Sequence, residues 1–167
     1  MDIRHHIPVP AADRVVDAAG RFHAHGIHPA PPRRLQVGAV LSGPVLAGPQ
    51  DPAGAWARFR EACGRGGAEA FAFARVADLI GVGPQAGFGL LVVDISGGDG
   101  ADGIAALKAA GCTTPVLALT TPARAEANAR ALAAGVELFL SRPVRERDLV
   151  QALGFCAARK RVDLGAG

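Results

Sequence analysis

The chain has 167 residues, half of them hydrophobic and 20% charged, so it is long enough for a folded domain and too apolar for disorder. Its formal charge of +3 rests on 16 arginines and two lysines, scattered rather than interleaved with aromatics, which argues against a nucleic-acid partner. No apolar run reaches bilayer length, no signal-peptide core opens the chain, and Cys63, Cys112 and Cys156 have no metal spacing, so a soluble cytoplasmic protein with reduced, mostly buried thiols is expected.

Residues 1–34 stand apart as an N-terminal extension. They hold all five histidines, and prolines bracket them. "AADRVVDAAGRFHAHG" (11–26) predicts a short helix with Val15, Val16, Ala19 and Phe22 on one side, followed by a proline-rich linker. His23, His25 and His28 can converge on a metal. No cysteine or acidic partner is arranged with them, so a solvated tail is expected instead.

From residue 35 strand and helix patterns alternate. "LQVGAVL" (35–41) is strand-like, and "PAGAWARFREACGRG" (52–66) is helical with Trp56, Phe59, Ala62 and Cys63 on one face. "AEAFAFARV" (68–76) has a strand's alternation, although an alanine-rich helix fits too, and "ADLIGVG" (77–83) is a weak helix. "FGLLVVDIS" (88–96) is apolar on both faces and predicts a buried strand. "ADGIAALKAAG" (101–111) is a helix closed by Gly111, and "TPVLALTT" (114–121) is another buried strand. "ARAEANARALAAG" (123–135) is a helix closed by Gly135, and "VELFLSRP" (136–143) is a strand. "RERDLVQALGFCAARK" (145–160) is a final helix with Leu149, Val150, Leu153 and Cys156 inward.

These five β–α units imply a doubly wound α/β domain with a parallel sheet and helices on both faces. Function in such sheets gathers at the carboxyl ends of the strands, where Asp94, Thr120, Thr121 and Arg142 stand.

Those strand ends, in that order, resemble the receiver (CheY-like) domain of bacterial response regulators, over roughly residues 35–163. "LLVVDIS" is similar to the strand carrying the phospho-accepting aspartate, and Asp102-Gly103 to the Asp-Gly that opens the next helix. "PVLALTT" is similar to the fourth strand with its terminal threonine, here Thr120. "ALAAGVELFLSRPV" resembles the segment with the aromatic switch residue, here Phe139, and the basic residue before a proline, here Arg142. The resemblance implies a flavodoxin-like (βα)5 sheet in order 2-1-3-4-5, with residues 164–167 as a tail. It implies Asp94 as nucleophile toward phosphorus, Thr120 and the basic residue on the phosphoryl oxygens, and Mg²⁺ held by carboxylates.

The chain departs from the family pattern. Arg142 replaces the family's lysine, and a planar guanidinium fork is not equivalent to an ammonium. The acidic pair after the first strand is missing. Either that strand ends at Ser42-Gly43 with no carboxylate, or "PVLAGPQDP" supplies its end, placing Pro49-Gln50 at the pair and Asp51 beside it as a metal ligand with Asp94. Gly97-Gly98 replaces the Met-Pro after the acceptor, and Asp99 is a spare carboxylate in that loop.

The expectation is a degenerate receiver, not an enzyme. It works as a protein-interaction module in two-component-type regulation without ordinary aspartyl phosphorylation and needs no cofactor; Mg²⁺ enters only if Asp94 is phosphorylated. Arg142 is expected to pair with Asp94 or fill the phosphoryl space. The family's partner surface, helix 4–strand 5–helix 5, presents Arg124, Arg130, Glu137, Phe139, Arg145 and Arg147. An outward Phe139 flanked by Arg145 and Arg147 is the expected anchor for a protein partner or a homodimer, with Glu126 and Glu146 facing those arginines across the axis. A slow phospho-acceptor at Asp94 stays open. So does a nucleotide-binding domain with "GGDGADG" as a phosphate loop, although its aspartates repel phosphate. The chain is read as a stand-alone domain or a fragment.

Overall fold

The computed structural model describes residues 15–16, 22–23, 33–83 and 86–165. The chain divides into two compact units, Met1–Arg33 and Arg34–Gly167.

In the first unit Val15–Val16 pairs antiparallel with Phe22–His23, Val15 opposite His23 and Val16 opposite Phe22. At these four residues a short ribbon replaces the helix expected over 11–26. Adjacent β-branched valines favour extended backbone, and Gly20 lies where a helix interior would lose stability. The rest of that expected helix, and His5, His6, His25 and His28, lie outside the described residues.

The second unit alternates strand and helix. Its elements are β1 (Leu35–Val40), α1 (Ala55–Arg65), β2 (Ala68–Ala72), α2 (Val76–Val82) and β3 (Leu90–Asp94). Then come α3 (Gly100–Ala109), β4 (Val116–Thr120), a 3-10 turn (Pro122–Arg124), α4 (Ala125–Ala133), β5 (Leu138–Ser141) and α5 (Glu146–Gly165). All five strands are parallel, in the order β2-β1-β3-β4-β5, which is the expected 2-1-3-4-5.

The continuous apolar runs of β3 and β4 are explained by burial on both faces. One core joins the sheet to α1 and α5 through Phe59, Cys63, Leu90, Leu117, Leu149 and Leu153. The other joins it to α2, α3 and α4 through Val76, Leu79, Leu91, Ile104, Leu107 and Ala131.

Three boundaries differ from the expectation. β2 stops at Ala72, short of the expected strand over 68–76, and Val76 opens α2 instead. α5 continues to Gly165, past the expected end at Lys160 and into the expected tail, because residues 157–161 are helix formers with no breaker. Val150 is only half-buried there, whereas Leu149, Leu153 and Cys156 are inward. β5 starts at Leu138, and Val136 belongs to the end of α4. The Val136 amide donates to the Ala131 carbonyl and the Gly135 amide to the Leu132 carbonyl, a helix-closing pattern that turns an apolar residue inward. Val136 therefore packs with Phe139, not with Leu138 and Leu140 on the opposite face.

Candidate functional site

β3 runs between β1 and β4, so its last residue, Asp94, ends in the middle of the sheet's carboxyl edge. Its side chain is fully buried. A carboxylate survives there only if its oxygens are bonded. Oδ1 accepts from the Ser96 amide at 3.0 Å and the Ser96 hydroxyl at 2.6 Å. Oδ2 accepts from the Ser42 amide at 3.1 Å and from Arg142 Nη1 at 2.8 Å. Four donors fill the acceptor capacity of one carboxylate.

Arg142 follows β5 and is aimed by its backbone. Its amide donates to the Thr120 carbonyl at 2.7 Å, and the Arg142–Pro143 peptide is cis. The Val144 amide then donates to Val45 at 2.8 Å. The guanidinium spans three groups: Nη1 reaches Asp94 and the Ser96 hydroxyl, and Nη2 donates to the Pro44 carbonyl at 2.6 Å. An ammonium is a point donor and cannot form this fork. Asp94 and Arg142 thus meet in a direct ion pair, as the sequence suggested.

The strand-end ambiguity is resolved by register. β1 ends at Val40 opposite Val93, so Leu41-Ser42 lies beside Asp94, and Ser42 contributes its backbone amide. The segment "PVLAGPQDP" does not end a strand of the sheet. Val45 and Leu46 are buried, and Leu46 bridges to Val144. Arg58 ties down the rest of this segment, donating to the Ala47 and Pro49 carbonyls at 2.8 and 2.7 Å. Asp51 is exposed and caps its own turn, accepting from the Ala53 amide at 3.0 Å.

Thr120 is buried, but its hydroxyl donates to Asn128 Oδ1 on α4, not to Asp94. Asn128 was missed in the sequence. It is the only asparagine of the chain, in an alanine-rich helix, and that was the available signal. Ser96 and the Ser42 amide were missed as well. A serine two residues past a buried aspartate is a turn signature, whereas a backbone donor leaves no mark in the sequence.

The anchor expected at Phe139 is not as exposed as its alternation suggests. Phe139 is half-buried against the α2–α4 side of the core, because its neighbour Val136 turns inward with it. Arg145 and Arg147 are exposed, and Arg147 Nε lies 3.6 Å from Asp148. The glutamates expected across a two-fold axis have partners within the chain: Glu146 with Arg65 at 2.5 Å and Glu126 with Arg130 at 3.8 Å. Glu137 pairs with Arg159 at 2.8 Å, and Asp102 with Arg130 at 2.8 Å.

Two glycines of "GGDGADG" serve packing: a Cβ on Gly100 would lie 2.6 Å from the Asp94 carbonyl oxygen, and one on Gly103 would lie 2.8 Å from the Val76 side chain. Gly98 serves the turn, at a φ of 58°. These roles account for the three glycines without a phosphate.

The residues present do not fit the divalent ion that the resemblance implies. The hollow beside the end of β1 is lined by Ala39, Leu41, Trp56 and Phe73 among others, with no carboxylate. Asp94 Oδ2 already carries a guanidinium, and Asp51 is engaged elsewhere. Among the described residues no group of three or more His, Cys, Asp or Glu side chains is placed to hold a metal.

No protein-family model matches the sequence, and no curated protein does. Solved structures do match. The signal receiver domain of a candidate Luxo repressor protein from Vibrio parahaemolyticus is 19% identical, with a TM-score of 0.63 over 80% of this chain and 98% of that one. The receiver domain of sensor histidine kinase PA1611 from Pseudomonas aeruginosa, solved with magnesium in its active site cleft, is 16% identical, with a TM-score of 0.59 over 75% and 98%. A CheY-like response regulator receiver domain protein from Methanospirillum hungatei is 18% identical, with a TM-score of 0.59 over 78% and 98%. Sheet order, helix placement and these likenesses together give the chain the CheY-like receiver fold.

Proposed function

We propose that this chain is a signalling module of two-component-type regulation whose acceptor aspartate is sealed, and that it acts through protein contacts rather than by accepting a phosphoryl group. The carrying observation is the Asp94 carboxylate, fully buried with both oxygens bonded and one of them held by Arg142. In-line attack on phosphorus needs a free lone pair and open space beside it. Here the guanidinium takes that space, and among the described residues no group of three or more His, Cys, Asp or Glu side chains is placed to hold a metal.

The helix 4–strand 5–helix 5 face remains the proposed contact surface for a protein partner or a second copy. Its apolar anchors are Leu132 on α4 and Phe155 on α5, which are 64% and 52% exposed. Phe155 also has the Arg159 guanidinium 5.9 Å from its ring centroid. A cytoplasmic setting belongs to the same proposal; no described helix is long and apolar enough to cross a membrane.

The test is labelling with acetyl phosphate and Mg²⁺. Wild type should form no acyl phosphate. Label on wild type that disappears in Asp94→Asn would overturn the sealed reading and restore a slow phospho-acceptor.

A further inference from the structure

At the opposite edge of the sheet, α2 and α3 form a wedge. They touch tightly near their N-terminal ends, where Gly103 admits the Val76 side chain. Between their C-terminal ends a cavity of about 170 Å³ opens. Its side-chain walls are Leu79, Ile80, Phe88, Leu91, Leu107 and Cys112. Leu91 and Leu107 form a buried floor, while Ile80 is left 36% exposed. Backbone at Gly83, Ala110, Gly111 and Thr113 frames the mouth.

The geometry points to a binding site here for an apolar molecule of single-ring size. Five apolar side chains line it beside Thr113, Thr114 and backbone groups, the mostly apolar lining with a few polar groups that small-molecule sites share, and a cavity of about 150 Å³ lined by Leu, Ile and Phe accepts a benzene ring. Leu79 and Leu91 pack closely on the sheet beneath: a Cβ on Gly38 would lie 3.0 Å from each of them. A ring in the wedge takes Ile80 and Phe88 out of water and fills space that neither helix reaches. It would also brace α3, whose first residue packs on the Asp94 backbone, giving the domain an input that needs no phosphoryl group. The site does not depend on whether Asp94 is sealed.

Cys112 makes the site readable. It is half-buried in the cavity wall, whereas Cys63 and Cys156 are buried, and burial pushes both of their thiols up. The probe is toluene. In wild type, saturating toluene should raise Tm by about 2 °C and slow Cys112 alkylation about fivefold. Ala110→Trp, placed at an exposed helix end, plugs the mouth and should abolish both effects; Ile80→Trp plugs the outer wall if that variant fails to fold. Unchanged Tm and alkylation in wild type would overturn the inference. An equal Tm rise in a folded plugged variant would also overturn it, because toluene would then be binding elsewhere.

Discussion

At the carboxyl ends of the strands, Asp94 is a buried charge whose every acceptor position is used by Ser42, Ser96 and Arg142. At the amino ends, between α2 and α3, Leu79, Ile80, Phe88, Leu91 and Leu107 line most of a cavity that Thr113 and Thr114 also border. The carboxylate in the middle of the sheet is fully buried and paired, whereas the cavity at the other end has a mostly apolar and uncharged lining. The difference teaches that a charge sits at the centre of this sheet only with its pairing built in.

The pairing can be broken most forcefully at Arg142. Arg142→Ala strands a buried carboxylate and should cost about 3 kcal/mol, since removing one member of a buried pair leaves the other uncompensated. Asp94→Asn keeps the shape and removes the charge, so it should cost less, about 1–2 kcal/mol. Combining Arg142→Met with Asp94→Leu should cost less than the sum of its two single variants. Urea unfolding of the set checks this order, and equal costs for Arg142→Ala and Asp94→Asn would mean that the pair is not the organising contact.

A second break tests the wedge. Gly103→Ala puts a Cβ 2.8 Å from the Val76 side chain and should destabilise by about 1–3 kcal/mol through overpacking. Val76→Ala removes the γ-methyls at 2.9 and 3.2 Å but keeps the Cβ at 2.8 Å, so it should absorb part of that cost, a non-additivity confined to residues in contact. If the two substitutions simply add, α2 and α3 do not lean on each other there.

The sequence made the fold readable because each strand from Leu35 onward has its own period or apolar run, and α1 to α4 are each followed by a glycine. Asp94 and Arg142 were legible for a similar reason: Asp94 ends an apolar strand three residues before Gly97, and Arg142 follows a strand and precedes Pro143, where no packing role explains a charge. What closes the site was not legible. The Ser42 amide and the Pro44 carbonyl are backbone groups, and their positions depend on residues 43–50 folding back against Val144. Asn128 reaches Thr120 only after α4 docks on β4. The exposure of Phe139 was misjudged because strand alternation was extended back to Val136, which the end of α4 had already claimed.

A milder test sharpens the polar end. Asn128→Ala leaves the buried Thr120 hydroxyl without its partner on α4 and should cost about 1 kcal/mol. Asp94 should stay sealed in that variant, because its donors come from other loops. The Cys63 thiol gives a pH handle on the interior. Burial pushes it up to about 12 from its ordinary value of 9.0, so the folded state holds a proton that the unfolded chain releases earlier. Stability from this group is fully present below pH 9 and is lost as pH rises toward 12. Cys63→Ala should flatten that alkaline fall in a pH series of urea melts.

The smallest effect isolates burial as the variable. Arg130 and Asp102 link α4 to α3 at 2.8 Å, the same separation as Arg142 and Asp94. The chemistry is shared, but both side chains of the outer pair are more than half exposed, whereas Asp94 is fully buried and Arg142 is 20% exposed. Water already solvates the outer charges, so pairing them gains little and losing one strands nothing. Asp102→Asn should therefore cost about 0.5 kcal/mol or less, and that cost should shrink further at 1 M salt, where screening acts within a few ångströms. The effect of Arg142→Ala should barely respond to salt, because ions cannot enter between buried groups. If the two pairs had equal costs and equal salt dependence, distance alone would govern them, and the contrast between a sealed and an open charge would fail.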